Sequence, residues 1–321
     1  MFKKGQGIQF NWIFVLVAGI LILSLFISFG VKYIGFSEQR NNAKLSILIN
    51  NQLDPLSTSL LYTELDPQGM DLVNFKFDCE NFAVNDYKVS IRDKLVFAPD
   101  NITADKLLIW IDDWKMPYRV SNFIFISSPT IKYYFVGNKE LSKKLIDYMP
   151  KVHGSDRPFF NVEAIEIIDY NKINQEISLG RLKEVKFVLF TGKIIDSEKI
   201  NTKVKIVNIN PDDEEFGRVE SGYYIGRSLL LGAIFSDSNY ECVLGRVMNQ
   251  LVQVTEIYGT KVIKLWGEID KEECNYALSK SSFDKVKELV KEKDYPGIND
   301  NAKKIEEQNK LLYQKGCADV Y

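Results

Sequence analysis

The sequence contains a single histidine, His153, and that scarcity narrows the available chemistry. A two-histidine zinc site lacks its second imidazole, and a catalytic triad would have to draw on His153 alone. That residue lies in Lys151-Val152-His153-Gly154-Ser155-Asp156, a polar run that reads as a solvated loop. Charge of one sign is also lacking. Forty-one basic residues against 43 acidic ones leave a net charge of −2, with the two signs interspersed. A chain without a basic field has no electrostatic footprint for nucleic acid. No Cys-x-x-Cys pair, His-Glu-x-x-His run, serine nucleophile elbow or solenoid repeat occurs. The acidic run Asp212-Asp213-Glu214-Glu215 lacks the alternating ligands of an EF-hand, and a solvated loop is its plainer reading. Gly222-Tyr223-Tyr224-Ile225-Gly226-Arg227-Ser228 lacks the Gly-Lys-Ser/Thr ending of a phosphate loop and reads as a turn into a packed helix. Neither a metal nor a cofactor is expected.

One further absence has a positive meaning. No charge occurs between Lys4 and Lys32, and the apolar run from Phe10 through Val31 fills that gap. About 20 apolar residues in a helix cross roughly 30 Å of hydrocarbon. Trp12 and Tyr33 stand at the two ends, where amphipathic rings suit the interface. The run is too long for a secretory signal and no small-x-small site follows it, so an anchor is expected, with the bilayer as its partner. Beyond it, Phe36, Leu45, Leu48, Ile49 and Leu53 fall mostly on one helical face, until Asp54-Pro55 gives a stop. The first fifty or so residues thus read as one helix, half in lipid and half an amphipathic stalk.

The whole chain is 45% apolar and 26% charged, a globular balance, and the part beyond the anchor is long enough for a sizeable core. Strands are expected at residues 94–98, 106–111, 122–127, 131–136, 162–168, 185–190 and 204–209, with a helix at 140–148. Ser127-Ser128-Pro129-Thr130 has the composition of a hairpin turn. Apolar steps of three and four predict a long helix from Tyr240 to Trp266 and two more at 281–293 and 301–315, the last ending at Gly316. Asp294-Tyr295-Pro296-Gly297 reads as a break. The expected architecture is α/β or α+β: a short basic segment (1–9), a transmembrane helix (10–33), a stalk and connector (34–86), a mixed sheet domain (87–235) and antiparallel helices (236–321).

Four cysteines form an even set. If the three C-terminal helices run up, down and up, the third returns Cys317 toward Cys274, which leaves Cys79 to pair with Cys242. Spacing alone leaves all three connectivities open. Disulfides and the sequon Asn101-Ile102-Thr103, in a turn-like stretch, both favour a soluble domain outside the cytoplasm. The flanking positive charges are nearly balanced and do not decide the side.

For a pocket, the best group is Asp112, Asp113, Trp114 and Arg119, with Thr191 and Gly192 after another strand, because ligands in open α/β sheets bind beyond the carboxyl ends of strands. Adjacent strand residues face opposite ways, which argues against an Asp112–Asp113 acid–base pair.

Two resemblances add expectations. Lys3-Lys4-Gly5-Gln6 followed by an apolar helix resembles the class III leader of archaeal type IV pilin-like proteins. That resemblance implies cleavage after Gly5 and packing of the apolar helix among copies; the acidic residue usual near the fifth mature position is replaced by Phe10 and Asn11. Over most of its length, through the runs Gln9–Val15, Trp114–Val120 and Leu231–Phe235, the chain resembles an uncharacterised group of archaeal membrane-anchored proteins, which implies a location and no activity. The function expected first is a membrane-anchored extracytoplasmic domain for binding or envelope structure, with a protein partner or self-association. A pilin-like subunit and a membrane-tethered carboxylate enzyme follow as alternatives.

Overall fold

The computed structural model describes residues 6–56, 62–66, 72–85, 87–165, 181–190, 204–212, 215–220, 222–268 and 274–321. Helix α1 (Gln6–Leu56) is unbroken over 51 residues, about 76 Å at 1.5 Å per residue. Its most apolar window has a mean hydropathy of 2.7 with none of it buried, so this one helix is long and apolar enough to cross a membrane. Past Lys44 the same helix enters the core: Leu45, Ile49 and Leu53 are buried, at steps of four that keep them on one face. Leu48 and Phe36, expected on that face, stay exposed, because a helix lying on one sheet buries a narrower stripe than the sequence offers.

Fourteen strands are described. Those before residue 106 are β1 (Tyr62–Leu65), β2 (Val73–Phe77), β3 (Asn81–Val84), β4 (Tyr87–Ser90), β5 (Leu95–Phe97) and β6 (Asn101–Ala104). Then come β7 (Leu107–Lys115), β8 (Arg119–Ser127), β9 (Ile131–Val136), β10 (Val162–Ile165), β11 (Glu184–Leu189), β12 (Val204–Pro211), β13 (Phe216–Val219) and β14 (Gly222–Ile225). They build three sheets of order β1-β7-β8-β5, β4-β3-β2-β6 and β10-β9-β11-β12-β13-β14. Strands β2, β3 and β1 lie where a connector was expected, and Val-Asn-Phe-Lys-Phe in β2 alternates apolar and polar side chains as a half-buried strand does.

Three local readings change. Ser127–Thr130 joins two sheets and makes no hairpin, since β8 pairs with β7 and β5 while β9 pairs with β10 and β11. Asn101–Thr103 lies in edge strand β6 and not in a turn. Gly222–Ile225 is a strand before the helix, not a turn alone. Of the strand expected at 162–168, the last three residues lie outside the described residues.

Strand β9, helix α2 (Lys139–Tyr148) and parallel β10 form a crossover unit, with Asn138 capping α2 by accepting from the Leu141 backbone N–H at 3.0 Å. Helix α3 (Arg227–Phe235) is buried on every side from Ser228 onward, as its uniformly apolar sequence requires. Phe235 sets its ring against Phe125 of β8, Tyr133 of β9 and Phe160 at centroid distances of 5.8, 5.1 and 4.8 Å, so one side chain joins two sheets. A Cβ on Gly232 would meet the Phe97 ring at 2.8 Å, which fixes a glycine there.

Helices α4 (Tyr240–Glu268), α5 (Tyr276–Glu292) and α6 (Tyr295–Gln314) follow. Lys287 pairs with Glu256 at 3.0 Å and Phe283 lies 3.9 Å from the Cβ position of Gly259, so α4 and α5 run antiparallel. Pro296 opens α6 and does not lie in a loop: Asp294 caps the helix, accepting from the Gly297 N–H at 3.0 Å, and proline suits a first turn whose N–H groups lack helical partners. Two disulfides, Cys79–Cys242 and Cys274–Cys317, close loops of 163 and 43 residues. By loop entropy these stabilise by about 5 and about 4 kcal/mol. Arg246, one turn beyond Cys242, donates to the carbonyls of Cys79, Arg92 and Lys94 at 2.5, 2.5 and 2.7 Å and clamps that segment to α4.

Candidate functional site

Strand β7 presents Asp112 and Trp114 to one side and Asp113 and Lys115 to the other, as the two-residue period dictates. Asp112 is buried. The Tyr148 hydroxyl, from the last residue of α2, lies 2.7 Å from both of its carboxyl oxygens, and Ser228 Oγ, in the first turn of α3, donates to Oδ2 at 2.6 Å. The Arg227 guanidinium lies over the Tyr148 ring at 4.6 Å from its centroid. Burial pushes the Asp112 carboxyl up, and the two hydroxyl donors only partly counter it. Burial, then the neighbouring Asp112 charge, likewise pushes the Tyr148 hydroxyl far up. This arrangement sets one carboxyl, accepting from two hydroxyls, in the junction of β7, α2 and α3.

The other candidate residues do not converge on Asp112. Asp113 pairs with exposed Lys115 at 3.0 Å. Trp114 is a core residue, donating its indole N–H to the Ile225 carbonyl at 2.9 Å and stacking on Phe123. Gly226 has φ of 79°, a conformation that strains any residue with a side chain, and a Cβ there would press on that indole at 3.3 Å. Arg119 is exposed and donates to Asn122 Oδ1 at 2.8 Å. Thr191 and Gly192 lie outside the described residues, as do Asp213 and Glu214 of the acidic run. His153 is exposed in its loop.

A second polar cluster escaped the sequence reading. Lys186, in the middle of β11, is fully buried and pairs with Asp237 Oδ1 at 2.5 Å. Lys205 on β12 bridges Asp237 Oδ2 at 2.5 Å and Glu184 Oε2 at 3.0 Å. Lys186 also donates to the carbonyls of Phe235 and Ser236 at the end of α3, at 3.4 and 3.3 Å, where the helix dipole favours a cation. Burial alone would raise the Asp237 carboxyl, but Lys186 and Lys205 outweigh it and bring it down to about 2. Glu184, with longer contacts to the same lysines, is pushed up, burial prevailing. Lys186 sits inside Val185-Lys186-Phe187-Val188-Leu189-Phe190, so a cation in a run otherwise apolar was the available signal.

Three surface clefts among the described residues lie elsewhere. One of about 440 Å³ borders exposed Asn101 and includes Lys76, Asp100 and Asn239. Another of about 340 Å³ lies between α2 and Asp212. The largest of those described, about 580 Å³, lies between α1 and the β3–β4 turn. None of these three is lined by Asp112, Tyr148 or Ser228.

No protein-family model, curated protein or solved structure matches the chain.

Proposed function

We propose that the chain is a single-pass membrane protein whose folded domain stands outside the cytoplasm in a binding or cell-envelope structural role. The observation that carries this reading is the continuity of α1. Trp12 through Val31 are exposed, apart from half-buried Ala18, and almost wholly apolar, while Leu45, Ile49 and Leu53 of the same helix are built into the core. A flexible tether would let the domain drift; an unbroken helix holds it at one height and orientation. The two disulfides favour the outer side, since such bonds persist in oxidising compartments. Asn101 is exposed on an edge strand, where a modifying enzyme has access.

Non-reducing peptide mapping of protein taken from its native membrane tests the reading. The expected result is two linked peptide pairs, Cys79 with Cys242 and Cys274 with Cys317. Four free thiols would place the domain in a reducing compartment and overturn the assignment of side.

A filament subunit is the second reading, favoured because the apolar half of α1 is covered by nothing among the described residues. Copies of the same helix would cover it as well as lipid does. A mature N-terminus at Gln6 in the same mapping would favour this reading, and a retained Met1 would remove it. A carboxylate enzyme is the third, and the opposed directions of Asp112 and Asp113 count against it.

A further inference from the structure

The two disulfides differ in their access to solvent. Cys274 and Cys317 are 5% and 8% exposed, and next to them the Tyr276 hydroxyl donates to the Ala318 carbonyl at 3.0 Å. Cys242, in the first turn of α4, is exposed, and Cys79, between β2 and β3, is half-buried. Thiol–disulfide exchange begins when a thiolate reaches one sulfur of the bond, so its rate follows access. An external thiolate therefore meets Cys242 first.

Hydrogen bonds on both sides of Cys79 join the same two segments without any sulfur. Arg246, one turn beyond Cys242, donates to the carbonyls of Cys79, Arg92 and Lys94. Asn239, just before α4, donates to the Phe77 carbonyl at 2.8 Å and to Asp100 Oδ1 at 2.7 Å. Asp78 closes the β2–β3 turn itself, accepting from the backbone N–H groups of Glu80 and Asn81 at 2.9 and 2.7 Å. Cleavage of the bond thus leaves the turn docked on α4, with the Cα atoms of Cys79 and Cys242 still near their 5.9 Å separation. Two thiols held that close can close again.

We propose that Cys79–Cys242 is a reversible dithiol–disulfide site that takes electrons from an external dithiol, while Cys274–Cys317 is a permanent staple. The donor's first thiolate attacks Cys242 Sγ. The Cys79–Cys242 bond breaks, and Cys79 leaves as a thiolate that takes a proton from water. A mixed disulfide now joins the donor to Cys242. The donor's second thiolate attacks the donor's own first sulfur and releases Cys242, which is protonated in turn. Two electrons and two protons have passed to the pair, and the donor is left as a disulfide. Exposed Asp78, Glu80 and Glu241 flank the bond, so an uncharged dithiol is the suitable probe.

The test treats the detergent-purified full chain with dithiothreitol, without denaturant, traps thiols with iodoacetamide at intervals and maps the peptides. Both bonds should be intact at the start. Cys79 and Cys242 should then be alkylated about tenfold faster than Cys274 and Cys317, or more. Limited proteolysis at that stage should find the domain still folded, and oxidised glutathione should restore the same bond. Arg246→Gln loses the charged donor and keeps both cysteines, so it should re-form the bond about tenfold more slowly. The wild-type measurements stand whether or not that variant folds. Both bonds opening together, Cys274–Cys317 opening first, unfolding on reduction, or failure to re-form would each overturn the proposal. Re-formation at the wild-type rate in Arg246→Gln would overturn Arg246 as what holds the reduced pair together. Four free thiols before any reductant would refute the outer-side reading along with this inference, whereas two intact bonds that open together refute this inference alone.

Discussion

Asp112 and Asp237 are both largely withdrawn from water, yet their carboxyls move in opposite directions. Burial raises Asp112, whose partners are two neutral hydroxyls. Burial would raise Asp237 as well, but two lysine ammonium groups at 2.5 Å bring it down to about 2. Burial sets a cost on both charges, and the identity of the partners decides whether that cost is met. Asp237 is needed as a charge because Lys186 is buried beside it. The hydrogen-bond partners of Asp112 are the neutral hydroxyls of Tyr148 and Ser228.

The largest way to break this contrast is Asp237→Asn. Removing the carboxylate leaves fully buried Lys186 without its closest counter-charge, which should cost about 3–5 kcal/mol in denaturant unfolding of the solubilised chain. A loss under about 1 kcal/mol would mean that Glu184 or water replaces Asp237, and the contrast would fail. The acid limb of stability gives the next effect. Asp237 has a folded value of about 2 against an ordinary 3.8, so its contribution is fully present above pH 3.8 and is lost as pH falls through 2. That contribution is about 2 kcal/mol. Glu184 is raised and changes stability in the opposite sense, so the quantity to compare is the difference between wild type and Asp237→Asn across that window.

Much of the contrast could not be read from the chain. Periodicity over many residues made α1 and α4 legible, and the return of α6 made Cys274 and Cys317 neighbours, as the structure has them. What periodicity does not carry is which strands share a sheet. Nothing local marks Ser127–Thr130 as a passage between two sheets, because a turn and a crossing use the same residues. Asp112 stood out beside tryptophans, but its partners Tyr148 and Ser228 are 36 and 116 residues away. Lys186 looked like one more strand residue, and Asp237 lies just past α3, 51 positions later; only the tertiary fold makes them a pair.

The smaller effects test whether Asp112 is an acceptor and no more. Ser228→Ala and Tyr148→Phe each remove one donor to a buried carboxylate and should each cost about 1–3 kcal/mol at neutral pH. Both should also raise the Asp112 carboxyl further, which isotope-edited infrared spectroscopy of the carboxyl stretch would report.

Asp112→Asn should have the smallest effect, under about 1 kcal/mol, because the amide keeps one acceptor oxygen, sheds the desolvation cost of a charge and faces hydroxyls that can turn to accept. Its sign with pH follows from the raised folded value: the Asp112 contribution is fully present below 3.8, where the carboxyl is protonated in both states, and is lost as pH rises through the folded value. Wild type should therefore lose stability relative to Asp112→Asn on going from acid to neutral pH, the reverse of what Asp237→Asn shows. If Asp112→Asn instead cost as much as Asp237→Asn at neutral pH, the charge at Asp112 would be required. The junction of β7, α2 and α3 would then have to be treated as a site that uses an ionised carboxylate, and the carboxylate-enzyme reading would move ahead of the structural one.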